Sequence, residues 1–578
     1  MLLTPERPIA GLLAPLFALR QKDDLGIGDV GALRDFIDWA AECGFGLVQL
    51  LPINETGNDH SPYNAISSVA LDPTTIEIRP ETIRDLSADD INEIANGLDL
   101  ETLRSGPVAY PLVKSLKTRL LERAFERFHA KSWKKNDSRA KAYRAFCEQE
   151  KSWIEDYSLF RVMIDEHHGT ERWDTWPETV QTSAKAHAWL AAQPASTRDR
   201  IHLAQRKVKY WQWIAWEQWR ELKRHAEAKN VALMGDIPFG VSYYSADCWA
   251  NPELFELDWC GGCPPERILQ EVDAFTKKWG QNWGIPLYRW GTLRERNFDW
   301  WRQRVRKVRD VFHLFRIDHL LGVFRIYGFP WRPHLNAEFL PLTEEEASER
   351  TDGRLPHFIN HEDDTPEHKA ANCAQGEEIL SVLLEECGEF RLIGEDLGVV
   401  PDYVRPCLQR LNIAGFKIPQ WENEPNGSMI SGGKYERLSL ATYATHDHEP
   451  IRSMWQRWMN AIEAAEHGGP ETHPVRDRAW QECRTMAAWC GFEVPQLTPW
   501  DDAVHEKFLT ALMHCNSWLA VLMITDLFAS TQRFNVPGAV SESNWSQRLQ
   551  GTPEEWRRDG GIQSKVDRVR EMMEAAGR

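Results

Sequence analysis

Short apolar runs recur along this chain between longer amphipathic segments, so two periods alternate from one end to the other. The first run is Gly11–Leu16. A Gly-rich turn, Gly26-Ile-Gly-Asp29, follows it, and then Leu33, Phe36, Ile37 and Ala40 recur at the spacing of one helical face. Gly44 marks where that helix stops, and Leu47-Val-Gln-Leu-Leu51 follows as a second strand. Six more runs have the same character: Val231–Ile237, Val311–Asp318, Phe390–Glu395, Gly415–Trp421, Leu438–His446 and Ala520–Asp526. Eight such runs separated by helices predict a closed (β/α)8 TIM barrel, a fold of the α/β class.

The rhythm breaks twice. Between the second and third runs the chain stays charged and helical in pattern for far longer than a barrel crossover needs. Residues 82–205 are therefore expected to form a mostly helical inserted subdomain, and residues 334–376 a smaller polar insertion, within one barrel domain spanning 1–578. The acidic runs at Thr343-Glu-Glu-Glu and His361-Glu-Asp-Asp read as solvated faces. Trp211, Ile214, Ala215, Trp219 and Leu222 keep helical spacing and read as a buried stripe. No internal repeat, low-complexity tract or separate sugar-binding module is evident.

Composition changes this picture mainly by exclusion. The 578 residues, 42% hydrophobic and 27% charged, are an ordinary globular mixture. No run approaches the roughly 18 apolar residues of a membrane helix. The opening Met1-Leu-Leu-Thr-Pro-Glu-Arg lacks an export pattern, and a net charge of −18 argues against a nucleic-acid partner. Eleven scattered cysteines do not read as a disulfide framework, so a reducing cytoplasm is expected. Cys260 and Cys263 make one C-x-x-C, but no second pair or neighbouring His completes a zinc site. The 27 Trp are read mostly as core, although indole rings also suit the apolar faces of sugars.

Barrel enzymes place catalytic groups where strands end at the C-terminal face. Four predicted strands end in acids: Asp236, Asp318, Glu395 with Asp396, and Asp447 after His446. Any one of these could simply cap the next helix, but four at one mouth repel each other, and that cost points to a purpose. Arg316 and Asp318 are two apart on a strand, so they share a face, and the guanidinium should keep Asp318 ionised. Crowding by Asp318 and Asp447 should raise Glu395. Two carboxyls with opposed protonation are the minimum for retaining glycoside chemistry.

At these residues the chain resembles the amylomaltase or disproportionating-enzyme family of 4-alpha-glucanotransferases, glycoside hydrolase family 77. The motifs run in family order: Ser61-Pro-Tyr63, Gly235-Asp-Ile-Pro-Phe, Ser245-Ala-Asp-Cys-Trp249, Gly280-Gln-Asn-Trp-Gly-Ile-Pro-Leu-Tyr288, Arg316-Ile-Asp-His319, Gly394-Glu-Asp-Leu-Gly398, Thr445-His-Asp447 and Arg533-Phe-Asn535-Val-Pro-Gly538. The resemblance implies Asp318 as nucleophile, Glu395 as acid/base and Asp447 as the third, transition-state carboxylate. It implies substrate contacts from Tyr63, Arg316 and His446 around the attacked glucose, with Asp236 beside them, and from Gln281, Trp283 and Asn535 in outer subsites. It calls for maltooligosaccharides or other α-1,4-glucans as donor and acceptor, and for no metal or cofactor. The segment 266–279 is longer than the family's usual one, His448 replaces a usual Asn, and Ala414-Gly-Phe-Lys417 replaces a usual Pro-Gly-Met-Lys. An α-glucan hydrolase, or a glucan-binding barrel without catalysis, would share most of these features.

Overall fold

The computed structural model describes residues 3–265, 273–466, 468–469, 472–537 and 541–578. Among them run twelve strands: β1 (Ile9–Leu13), β2 (Leu47–Gln49), β3 (Ala232–Ile237), β4 (Phe255–Cys263), β5 (Gln281–Tyr288), β6 (Leu314–Ile317), β7 (Ile326–Phe329), β8 (His357–Ile359), β9 (Leu392–Gly394), β10 (Ala414–Lys417), β11 (Ser439–Ala441) and β12 (Leu519–Met523). Eight of them close a parallel barrel in the order β1-β12-β11-β10-β9-β6-β3-β2. The closure is a five-residue register from Ile9 opposite Leu519 to Leu13 opposite Met523. Every residue of β3 and β12 is buried. That is why these strands read as unbroken apolar runs: a parallel barrel covers both faces of each strand.

All eight expected runs supply a barrel strand, with ends that shift for local reasons. The sixth strand begins at Leu314 because Val311 is still the last residue of a helix, Asp299–Val311. The last ends at Met523 because Ile524–Leu527 turns into a short helix. The first helix, Val30–Glu42, starts at Asp29, whose carboxylate accepts from the Gly31 and Ala32 amides. It buries Leu33, Phe36, Ile37 and Ala40. Gly44, at φ +92°, takes the left-handed turn beyond its end.

Between β2 and β3 the chain forms seven α-helices, from Ala88–Ala95 to the 34-residue Ala195–Ala228. The last buries Trp211, Ile214, Ala215, Trp219 and Leu222, the expected stripe. The four remaining strands were not evident from apolar runs. They form a second, antiparallel sheet in the order β5-β4-β7-β8. It has its own small core of Cys260, Phe275, Trp279, Phe329, Trp331, Phe339 and Ala347. The stretch 334–376 contributes β8 and the helix Glu344–Arg350, whose exposed acids sit in the first turn behind a Thr343–Glu346 capping box. Of the segment 266–279, residues 266–272 lie outside the described residues, and the rest holds the helix Ala274–Lys278. Among the described residues no helix is long and apolar enough to cross a membrane.

Candidate active site

Asp318 is the first residue beyond β6, and its amide donates to Ile237 O at 2.9 Å, which fixes it to the end of β3. Arg316, almost fully buried, points the same way. Its two terminal nitrogens reach Asp318 Oδ1 and Asp236 Oδ2, each at 2.6 Å. Burial alone would weaken the arginine's charge, but Asp236 and Asp318 hold it protonated well above its ordinary range. Burial pushes the Asp236 carboxyl up, against the pull of Arg316.

Glu395 follows β9 and is locked to the same strand end. Its amide donates to Ile317 O at 3.0 Å, and its Oε2 accepts the backbone N–H of His319 at 2.7 Å. His319 can offer that N–H because it stands in the left-handed region, at φ +46°. Burial, and then the charge of Asp318, push Glu395 up to about 8 despite the opposing pull of Arg316. The direction is the one expected from the sequence. The leading cause is burial rather than crowding, and the further acid that contributes is Asp396, not Asp447.

Asp447 follows β11 by a short loop. Asn535 donates to its Oδ1 at 2.6 Å, His446 Nε2 lies 3.3 Å from the same oxygen, and Arg533 donates to its carbonyl at 2.7 Å. Burial alone would raise this carboxyl, but His446 and the Asn535 amide hold it below the usual range. Burial therefore carries Glu395 up, whereas neighbouring groups outweigh burial at Asp447 and carry it down. Tyr63 closes one side: its hydroxyl donates to Asp236 Oδ2 at 2.7 Å, and its ring stacks on His446 at 5.0 Å and 12°.

The structure thus joins Tyr63, Asp236, Arg316, Asp318, Glu395, His446, Asp447 and Asn535 by a continuous set of contacts. Gln281 and Trp283 sit on β5, outside the barrel. They reach this group through Trp283, whose half-exposed ring meets His319 edge-on at 4.7 Å while its Nε1 donates to Gln281 Oε1. Several contributors were missed in the sequence. In the sequence His319 only closes the Arg316-Ile-Asp-His319 motif, yet in the fold it supplies the N–H that holds Glu395. Trp545 packs against both Tyr63 and His446 and carries no local signal. His448, noticed only as a departure, accepts at Nδ1 from the Thr445 amide at 3.2 Å, with Thr445 Oγ1 at 2.8 Å, and lies 4.9 Å from exposed Trp421. Burial lowers His448 to about 4, so its ring is neutral and its proton sits on Nε2.

The sequence profile of glycoside hydrolase family 77, described as 4-alpha-glucanotransferase, matches residues 14–553. The 4-alpha-glucanotransferase of Chlamydia pneumoniae is 30% identical over 95% of this chain and 92% of its own. That of Thermus thermophilus is 29% identical over 91% of each. The fold is similar to that of a Streptococcus agalactiae amylomaltase solved with acarbose, with a TM-score of 0.72 at 22% identity, covering 99% of this chain and 100% of that one.

Proposed function

Because the chain belongs to glycoside hydrolase family 77, the 4-alpha-glucanotransferases, we propose that it moves α-1,4-glucan segments between maltooligosaccharides by a retaining, two-step displacement. Asp318 attacks the anomeric carbon of the donor while Glu395 delivers its proton to the departing glycosidic oxygen, and a covalent glucosyl-enzyme results. Glu395, now a base, takes the proton from the 4-hydroxyl of an incoming glucan. That oxygen displaces Asp318 and restores the original configuration.

The observation that carries this reading is the shared anchoring of the two carboxyls. Asp318 is paired with the Arg316 guanidinium, which faces its carboxylate at 2.6 Å. Glu395 hangs from the adjacent peptide N–H and keeps its proton at neutral pH. Asp447, held below the usual range, supplies fixed negative charge for the oxocarbenium-like transition state. Tyr63 and His446 form the wall of the attacked glucose, with Arg316 and Asp236 beneath. Trp283 and Gln281 lie on the path of the longer glucan, where a stacked sugar displaces water and favours transfer over hydrolysis.

Incubation with maltotriose tests the reading. Glucose together with a ladder of longer oligosaccharides is the expected product, whereas shorter products alone would make the protein a hydrolase. Asp318→Asn should lose turnover while retaining glucan affinity, and full activity in that variant would remove Asp318 from its role.

A further inference from the structure

We propose that Cys373, Glu377 and Cys407 form a binding site for a soft divalent cation of the zinc class, on the two helices that flank β9. Cys373 and Glu377 are four residues apart on the helix Pro366–Cys387, so their side chains stand on one face. Cys407 comes from the next helix, Val404–Arg410. Both sulfurs and a carboxylate oxygen lie within 4.8 Å of one another, and among the described residues no other trio of such ligands comes together. A tetrahedral zinc with bonds of about 2.3 Å sets neighbouring ligand atoms roughly 3.8 Å apart, so the trio has to draw in by about an ångström at most.

The chemistry of the donors selects the ion. Two thiolates favour zinc and its softer neighbours over magnesium or calcium. Two thiolates and a carboxylate around a divalent ion leave one negative charge, and Arg410 is placed to balance it. Its guanidinium donates to Glu377 Oε2 at 2.8 Å and lies 4.0 Å from Cys373 Sγ. Cys373 and Glu377 are half-exposed, so the ion can enter from solvent and water can take the fourth position. Each thiol gives up one proton to the buffer on binding, and no electron moves. The C-x-x-C at Cys260 and Cys263, on extended β4, has no third ligand among the described residues. Bound at the proposed site, the cation ties the helix before β9 to the helix after it. It thereby clamps the strand whose end carries Glu395.

The test uses the full-length protein, stripped of metal and kept reduced. Titration with cobalt(II) should produce a thiolate-to-cobalt charge-transfer absorption that saturates at one equivalent and is abolished by zinc. Zinc should also protect two thiols from a thiol-specific reagent and raise Tm with its concentration. Cys373→Ser and Cys407→Ser should each lose the absorption, Glu377→Gln should bind cobalt more weakly, and a Cys260→Ser, Cys263→Ser double variant should keep the absorption. Circular dichroism of each variant separates a lost site from a lost fold. Absence of the band in the wild type, or its survival in a folded Cys407→Ser protein, overturns the proposal.

Discussion

Glu395 takes its protonation from burial and its position from a peptide N–H, and the two are separable by experiment. Its raised pKa means that the step needing its proton should fail as the pH rises through about 8. Glucose release from maltotriose should show that limb, and Glu395→Gln should abolish activity at every pH. The same shift bears on stability. The folded state keeps this proton up to about 8, whereas an unfolded chain releases it near 4.3, as an ordinary Glu does (about 4.3). Between those values the folded state binds more protons, so stability is full below the unfolded pKa and falls as the pH climbs through the folded one. The Tm advantage of Glu395→Gln over wild type should therefore grow from acid to alkaline pH. Asn535 acts on the other carboxyl. Asn535→Ala removes the 2.6 Å bond to Asp447 and should lower kcat/KM by about 10–100-fold, as the loss of one charge-assisted hydrogen bond does.

At the scale of single elements, the first helix shows how one residue serves two ends. Asp29 caps Val30–Glu42 and also receives Lys117 Nζ at 2.9 Å, where the lysine is buried and donates to Thr74 O and Ile76 O as well. Asp29→Ala should cost about 3–5 kcal/mol because a buried cation loses its partner. Asp29→Asn keeps the cap and should recover about 1 kcal/mol of that. Denaturant melts of the two variants give the difference. This helix was legible in the sequence because its face, the Gly-rich turn before it and its Gly stop are all local signals. The sheet β5-β4-β7-β8 was not. Gly261, Gly262, Gly284 and Pro286 interrupt its strands, and in sequence those residues read as turns. Three of its strands, β4, β5 and β8, are also only partly buried, so no apolar run marks them. For the same reason Gln281 and Trp283 could be singled out by motif but not placed on a strand outside the barrel. Trp545 was beyond reach altogether, since only the closed fold brings it behind Tyr63.

Across the whole molecule, distant segments are joined by a few buried charges. Arg548 pairs with Asp24 at 2.6 Å, both fully enclosed, and also donates to Leu19 O and Arg104 O. One guanidinium therefore fastens the turn after β1, the helical stretch between β2 and β3, and the chain beyond β12. Arg548→Met should lower stability by about 3–5 kcal/mol by stranding Asp24. Pairing it with Asp24→Asn should restore part of that loss, a coupling that a thermal double-mutant cycle would register.

Trp283 belongs to a sheet with a separate small core, whereas the acids hang from barrel strands knit into the main one. Substitutions in that sheet should therefore be absorbed locally, with the barrel-borne carboxyls keeping their places. With Trp283 in its proposed role, changes in this sheet should alter which glucan lengths are accepted while the carboxylate chemistry stays constant.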